Sequence, residues 1–490
     1  MERPAYRSED EREYKARGWW RDDDTLWHWL RKHAAERPDA PAILWAGGQL
    51  SWRRLEGRVL RVAAGLYRKG IGAGDVVAIQ LPNTPEFLIV HLAIARLGAV
   101  MCTVHMPYRG AEIESILAHS GAKLFFTGAL PFSEFEDPEP LPASHPAPDA
   151  RDPFLVLYTS GTTASPKAVP HAYRTMLGNS RLGAAEHLLS AQSRVLCAAP
   201  LSHLYGLYSL HCAWSVGACT LLLPAFKPDE LAQAVQSHRP TALWTAPAHV
   251  AACRNAGLFD THDWSSLKLA IVSGSMAPPP LVRTFAEKLP GCAVTQLWGM
   301  TELQAALYTR PGDGTEAAAT SAGRPSPGTQ VRVSDEGELQ VKGPLTFSGY
   351  YDNEEANATA FTADGWFRSG DLAERRGEYY AITGRIKDVI NRGGVKFNPA
   401  DVEALLDAHP KVLQSAIVPM PDPVLGEKAC AFVVLKKNED RLSLEEIVEY
   451  LLSRQIAKNK LPERLVVVPE MPLTPTRKII KGRLRIPEQA

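Results

Sequence analysis

Neither sign of charge prevails in this sequence: 54 lysines and arginines balance 54 aspartates and glutamates across 490 residues. A balanced chain lacks the broad electrostatic footprint of a nucleic-acid or anionic-membrane binder, so any anion it binds has to be held locally. Paired cysteines are missing as well. The seven, at 102, 197, 212, 219, 253, 292 and 430, are odd in number, scattered and without a C-x-x-C pair. That argues against a disulfide framework or a cysteine zinc site and predicts reduced, mostly buried thiols. Nor is there a long clean apolar run. The best, 87–104, is interrupted by His91 and Arg96, and the N-terminal MERPAYRSEDEREYKARGWW is charged. Neither reads as a membrane span or a signal peptide, so a soluble cytoplasmic protein is expected. No internal repeat is visible.

What the chain does have is an ordinary globular composition, 45% apolar and 22% charged, and a length beyond what one core usually organises. Helical and extended patterns alternate early: 51–69 has helical periodicity, VVAIQL (76–81) reads as a buried strand, and Thr84-Pro85-Glu86 supplies an N-cap, an N1 proline and an acidic first turn. Strand-like runs at 154–158, 195–199, 219–223, 241–246 and 267–273, separated by helical segments, predict an α/β fold with helix-covered, mostly parallel sheets. Residues 128–152, rich in Pro, Ala and acids, read as an exposed connection. After about residue 385 the texture changes to a glycine loop, a helix at 399–409, strands around 415–420 and 430–435, and a helix opened by a capping box, Ser443 with Glu446. These suffice for a smaller α+β domain. The expected division is therefore 1–386 and 387–490.

The strand at 154–158 runs into Thr159-Ser160-Gly161-Thr162-Thr163-Ala164-Ser165-Pro166-Lys167. Small residues let backbone N–H groups converge on polyphosphate oxygens, hydroxyls add donors, and the lysine offsets anionic charge. It is not a Walker A loop, because Pro166 precedes Lys167 and Ala168 follows it. In isolation such a cluster is more often an ordinary solvated turn.

The wider sequence favours the phosphate reading. LYTSGTTASPKAVPHA resembles the signature of the acyl-adenylate-forming, or AMP-binding, superfamily, in the branch of acyl-CoA synthetases and aryl-acid AMP ligases, and further motifs follow in that family's order. PLSHLYGL (200–207) resembles its histidine segment beside the acyl pocket. SGSM (273–276) and QLWGMTE (296–302) resemble the adenine strand and turn, RSGD (368–371) the ribose motif, GRIKDVINRGG (384–394) the hinge, and PLTPTRKIIKGRLR (472–485) the last motif.

The resemblance implies that ATP is bound by Thr159, Ser160, Gly161, Thr162, Thr163, Lys167, Ser275, Met276, Gln296, Trp298, Gly299, Asp371, Ile382 and Arg385. Trp298 stacks on adenine, and Asp371 and Arg385 take the ribose hydroxyls. Lys478, Thr301, Glu302 and His203 form the catalytic set, with Glu302 helping to hold Mg²⁺. It implies an acyl pocket of Tyr205, Gly206, Leu207, Trp244, Gly274 and Met300, a hinge at Lys387, and Gly393 and Gly394 beside coenzyme A. His203 remains open between this role and that of a satisfied core histidine. Ala164 and Ala168 stand where the family pattern has glycines, Trp298 where tyrosine is commoner, and Arg477 where a glycine precedes the lysine.

The implied activity is an ATP-dependent acid–thiol ligase: a small or medium carboxylic acid is adenylated with release of pyrophosphate, and the acyl group passes to coenzyme A. The alternative acceptor is a phosphopantetheinyl carrier protein, favoured by the likeness of GEKACAFVV and the hinge stretch to aryl-acid AMP ligases; Gly206 and the absence of asparagine after His203 favour coenzyme A. A non-catalytic nucleotide-binding member and a luciferase-like oxygenase are remoter readings. A nucleic-acid partner is not expected, and a monomer or a homodimer fits equally.

Overall fold

The structure, a computed structural model, describes residues 3, 8–142, 144–159, 167–275, 277–436, 439, 441–474 and 478–487. The chain forms two compact units, Met1–Val331 with Val341–Phe367, and Arg332–Gln340 with Arg368–Ala490.

The first unit is built on two sheets. In one, the parallel neighbours Cys219–Leu221, Arg194–Cys197, Ala242–Thr245, Leu269–Val272 and Ala293–Met300 form the centre, with Gln304–Tyr308 turning back antiparallel beside Ala293–Met300. In the other, Leu124–Thr127, Val76–Gln80, Val100–Thr103 and Pro153–Thr159 run parallel, and Lys167–Ala172 closes the edge as an antiparallel hairpin. Every residue of Val100–Thr103, Ala242–Thr245 and Leu269–Val272 is buried. Such continuously apolar strands are stable where helices cover both faces of a sheet. The α/β architecture expected from the alternating pattern is the one observed.

The two early helices start in different ways. Ser51 Oγ accepts from Arg54 N at 3.4 Å as the helix Trp52–Arg68 begins, and Pro85 opens Pro85–Arg96 after Thr84, whose hydroxyl makes no capping bond. The polar residues that break the 87–104 run are themselves buried and partnered: His91 Nε2 lies 3.0 Å from His211 Nε2, and the Arg96 guanidinium donates to Pro146 O (2.8 Å) and His145 O (2.9 Å). Among the described residues no helix is long and apolar enough to cross a membrane. All seven cysteines are unpaired, and six are buried.

Two expectations are corrected. The stretch 128–152 is not simply an exposed connection: Phe132–Phe135 forms a 3₁₀ turn, and Phe135 and Leu141 are each only 3% exposed. It packs on Trp52–Arg68 at Gly65, where a Cβ would stand 2.1 Å from the Phe135 carbonyl oxygen. Few apolar residues, spaced irregularly among Pro and Ala, hid this contact from periodicity. The helix expected at 399–409 ends at Leu406, in line with the bias of a residue before proline, here His409, against helical backbone.

In the second unit, Phe367–Arg376 and Tyr379–Arg385 pair as an antiparallel hairpin. Val412–Asp422 and Gly426–Leu435 form a long antiparallel pair, and both Ile390–Arg392 and Arg464–Val467 add to Gly426–Leu435. The helices Pro399–Leu406 and Leu444–Ser453 share its apolar core through Val402, Leu406, Ile447 and Leu451. The capping box is complete, with Ser443 N donating to Glu446 Oε2 at 2.8 Å and Glu446 N to Ser443 Oγ at 3.2 Å.

In the first unit His187 is buried between Trp244 and Tyr308, ring centroids 6.1 and 4.8 Å away, and neither of its ring nitrogens meets a polar partner. Burial, with the charge of Arg310, pushes its pKa down to about 3. A histidine with a depressed folded-state pKa supplies stability that is full above its unfolded value near 6.5 and is lost as pH falls from there toward 3. His187→Phe should therefore flatten the fall in stability between pH 6 and 4.5 by roughly 1 kcal/mol per pH unit, read from urea melts. An unchanged slope would show that His187 does not contribute to the acid sensitivity.

Candidate active site

The strands Arg194–Cys197, Ala242–Thr245, Leu269–Val272 and Ala293–Met300 pair in parallel, so their C-terminal ends lie along one edge of the sheet. In open α/β sheets ligands bind outside such carboxyl ends. Backbone bonds beyond the strands extend the alignment, from Ala198 N to Trp244 O (2.9 Å) and from Ser273 N to Thr245 O (3.0 Å). The segments 200–207, 273–275 and 296–302 therefore leave the sheet side by side. None of this proximity is visible in their separation along the chain.

After Arg194–Cys197 the chain turns into the helix Leu204–Ser215, and His203 is its N-cap, with Nδ1 accepting from Tyr205 N at 3.2 Å. His105, unnoticed in the sequence, stacks on it with ring centroids 6.1 Å apart, and its Nδ1 lies 2.9 Å from Ser202 Oγ. Burial lowers the His105 pKa to about 4, keeping the ring neutral. The Tyr205 hydroxyl donates to the carbonyls of Ile271 (2.8 Å) and Thr245 (3.2 Å), clamping the helix to two strand ends. Gly206 sits where a Cβ would stand 2.2 Å from Pro200 O. Leu207 and Trp244 are fully buried, Gly274 turns the chain at φ +94°, and Ser275 is exposed.

Gln296, buried, pairs with Val272, placing the start of the adenine-type motif beside the end of its neighbour. Trp298 and Met300, both half-buried, pack with Phe347, Tyr350 and Phe367. Gly299 is required here: a Cβ would stand 1.8 Å from Gln304 O, because the hairpin bulges between Trp298 and Gly299 and Gln304 takes a left-handed φ of +58°. The return strand is gripped by Asn179, whose Nδ2 donates to Ala305 O (3.1 Å) and whose Oδ1 accepts from Ala305 N (3.3 Å). Thr301 and Glu302 occupy the tip. Glu302 is 8% exposed, and its Oε1 accepts from the Tyr350 hydroxyl at 2.8 Å.

Thr159 and Lys167 face each other as the last pair of the other hairpin, on either side of 160–166. Ser160, Gly161, Thr162 and Thr163 lie outside the described residues, as do Ala164, Met276 and Arg477. The Lys167 ammonium stands over the ring of Tyr350, 4.8 Å from its centroid. One tyrosine thus touches both Lys167 and the hairpin carboxylate Glu302. Its neighbourhood, GYYDNEEA, carried no recognised motif, and Tyr350 is 48 residues from Glu302 in the chain.

The second unit collects its own set. Asp371 faces Arg385 across the hairpin with Oδ1 2.9 Å from Nε, and Ile382 pairs with Ala373 beside them. Lys387 lies in the exposed 3₁₀ turn Ile386–Asp388. Gly393 and Gly394, at φ +60° and +88°, form the two-residue turn between Ile390–Arg392 and Val395–Phe397, a conformation that glycine adopts without strain. Lys478 closes a small loop, with its N donating to Thr474 Oγ1 at 2.9 Å and its O accepting from Thr474 N at 2.8 Å.

Comparison with known proteins follows the same outline. A family model described as AMP-binding enzyme matches residues 30–351, and one described as AMP-binding enzyme C-terminal domain matches 401–478. The chain is 30% identical to the medium-chain fatty-acid–CoA ligase of Escherichia coli (strain K12), covering 96% of this chain and 92% of that protein. It is 33% identical to a salicyl-AMP ligase / salicyl-S-ArCP synthetase of Mycobacterium tuberculosis, covering 96% and 91%. The crystal structure of ATP-bound MatB from Rhodopseudomonas palustris superposes with a TM-score of 0.85 at 26% identity, covering 94% of this chain and 98% of that one.

The capping geometry separates two roles for His203. Asparagine retains an N-cap acceptor and alanine does not, so His203→Ala should cost about 1 kcal/mol in urea denaturation and His203→Asn less than about half of that. Equal losses would show that the cap contributes nothing.

Proposed function

From the premise that this chain belongs to the AMP-binding enzyme family and is an adenylating enzyme that uses ATP, we propose that it is an acid–thiol ligase that converts a small or medium carboxylic acid to its acyl-adenylate and passes the acyl group to coenzyme A. The observation that carries the adenylation half is the convergence of Lys167 and Glu302, far apart in sequence, on Tyr350, the first over its ring and the second at its hydroxyl. A cation and a buried carboxylate held in one unit suit a metal-bound polyphosphate.

A carboxylate is a weak nucleophile and a poor electrophile. Its oxygen attacks the α-phosphorus of ATP, the bond to the bridging oxygen breaks, and pyrophosphate leaves. A thiol sulfur then attacks the carbonyl carbon of the mixed anhydride, and AMP departs with the electron pair of the C–O bond. Both steps need alignment and charge compensation more than a protein nucleophile. Lys478 offsets charge at the reacting carboxylate and α-phosphate, with Thr301 at the latter. Trp298, Gln296, Gly299 and Ser275 receive adenine, Asp371 and Arg385 the ribose hydroxyls, and Thr159 and Lys167 the phosphates. His203, Gly206 and Gly274 border the acid.

Among the described residues no three His, Cys, Asp or Glu side chains gather as a metal cage. Mg²⁺ bound with nucleotide phosphates takes only one or two protein carboxylates, so Glu302 fits as its protein ligand. The ion would neutralise charge on the phosphates as the adenylate forms. A swivel at Lys387 between the half-reactions, exchanging Lys478 for the Gly393–Gly394 turn, completes the reading. A cytoplasmic location is supported by the seven unpaired cysteines, which are chemically at home there.

The identity to a fatty-acid–CoA ligase across 96% of the chain supports coenzyme A as acceptor. The comparable identity to a salicyl-AMP ligase / salicyl-S-ArCP synthetase supports a second reading, a carrier-protein acceptor. Incubation with ATP, Mg²⁺ and a panel of aliphatic, alicyclic, hydroxy and aromatic acids, with and without coenzyme A, distinguishes them by mass spectrometry. Acyl-CoA establishes the first; adenylate that accumulates without reaching coenzyme A favours the second. Lys478→Ala should slow adenylate formation by roughly 10²–10³-fold while sparing thiolysis of supplied acyl-AMP, and Lys387→Pro should do the reverse. Equal loss of both half-reactions in Lys478→Ala would remove the division of labour.

A further inference from the structure

The segment 347–351 is fastened to both hairpins of the nucleotide region. Phe347 N donates to Glu302 O at 3.0 Å, and Tyr351 N donates to Ala168 O at 3.0 Å. Between them, the backbone of Tyr350 is gripped on both sides by one amide: its N–H donates to Asn357 Oδ1 (2.7 Å), and its carbonyl accepts from Asn357 Nδ2 (2.8 Å). Asn357 rides on the helix Glu354–Ala360, which Asn353 caps through a 2.9 Å bond to Ala356 N. The Tyr350 ring, 9% exposed, also meets Phe347 edge-on at 5.0 Å. Little freedom is left to this side chain.

A phenol held in this way acts on its two charged neighbours. Its hydroxyl, donating to Glu302 Oε1 at 2.8 Å, holds one oxygen of that carboxylate in place. The Lys167 ammonium is attracted to the face of the same ring, 4.8 Å from its centroid, so one side chain contacts both charged groups. A carboxylate oriented before the ligand arrives has less freedom to lose on binding.

We propose that Tyr350 is a positioning residue for metal-bound nucleotide, orienting Glu302 and linking that orientation to Lys167 on the phosphate loop. This rests on the reading of Glu302 and Lys167 as nucleotide residues. It assigns to Tyr350 an effect that needs the metal: without a cation to meet, the orientation of Glu302 matters little to ATP.

The test is isothermal titration of ATP, with Mg²⁺ and with EDTA, into the full-length protein and its Tyr350→Phe, Glu302→Gln and doubly substituted variants. Tyr350→Phe keeps the ring and its packing, and should weaken Mg·ATP binding roughly tenfold, the size of one hydrogen bond to a charged group, with metal-free ATP binding unchanged. In the Glu302→Gln background the same change should have no further effect. Equal loss with and without metal, or additive losses in the double variant, would mean that Tyr350 only supports the fold and would overturn the proposal. No effect of Glu302→Gln itself on Mg·ATP binding would instead remove the nucleotide reading of Glu302, and the proposal with it. Should Tyr350→Phe fail to fold, Asn357→Asp loosens the grip on Tyr350 and should give a smaller, about threefold, metal-dependent loss; a metal-independent loss there overturns the proposal equally.

Discussion

Backbone pairing of four parallel strands, Arg194–Cys197, Ala242–Thr245, Leu269–Val272 and Ala293–Met300, is the constraint from which the arrangement of the first unit follows. Parallel ladders bring like ends together, and side chains buried on both faces hold each register against slippage. Segments that share no sequence pattern therefore emerge along one edge. The hydroxyl of Tyr205, bonded to carbonyls of two of these strand ends, carries the register into the helix that His203 caps.

Close approach is the second constraint. Gly299 lets the bulged hairpin bring Gln304 O to a place where any Cβ would collide, and Gly206 does the same for the helix against Pro200 O. The sequence offers these glycines as motif letters; their reason is steric. Several polar residues inside the first unit are held by partners that reach them. Arg96 satisfies two carbonyls, and Asn179 meets both backbone groups of Ala305. Buried polar groups without such partners are expensive, so each of these contacts ties its helix to one position.

Much of the architecture was legible because it follows local rules. The alternation of apolar strands with helical segments, the proline at the start of Pro85–Arg96 and the capping box at Ser443 depend on residues within one or two turns of one another. What periodicity missed had sparse or irregular apolar content. Phe135 and Leu141 sit in a stretch whose composition reads as solvent-exposed, and only their packing on Trp52–Arg68, through Gly65 under Phe135 and the bond from Leu141 N to Leu60 O, shows that it is not. Tyr350 was passed over for a similar reason: an aromatic in GYYDNEEA reads as ordinary core until its hydroxyl is seen on Glu302.

By itself the sequence determined the α/β class, the family through a series of short motifs in order, and the residue types available for anion, ribose and carboxylate chemistry. Those properties lie in neighbouring letters and in their sequence of appearance. Only the tertiary structure decided which of the residues meet: Asp371 with Arg385, His105 with His203, and Lys167 and Glu302 through Tyr350. Such contacts join side chains from separate turns of the chain, and their formation depends on the packing of whole strands and helices, which no local pattern encodes.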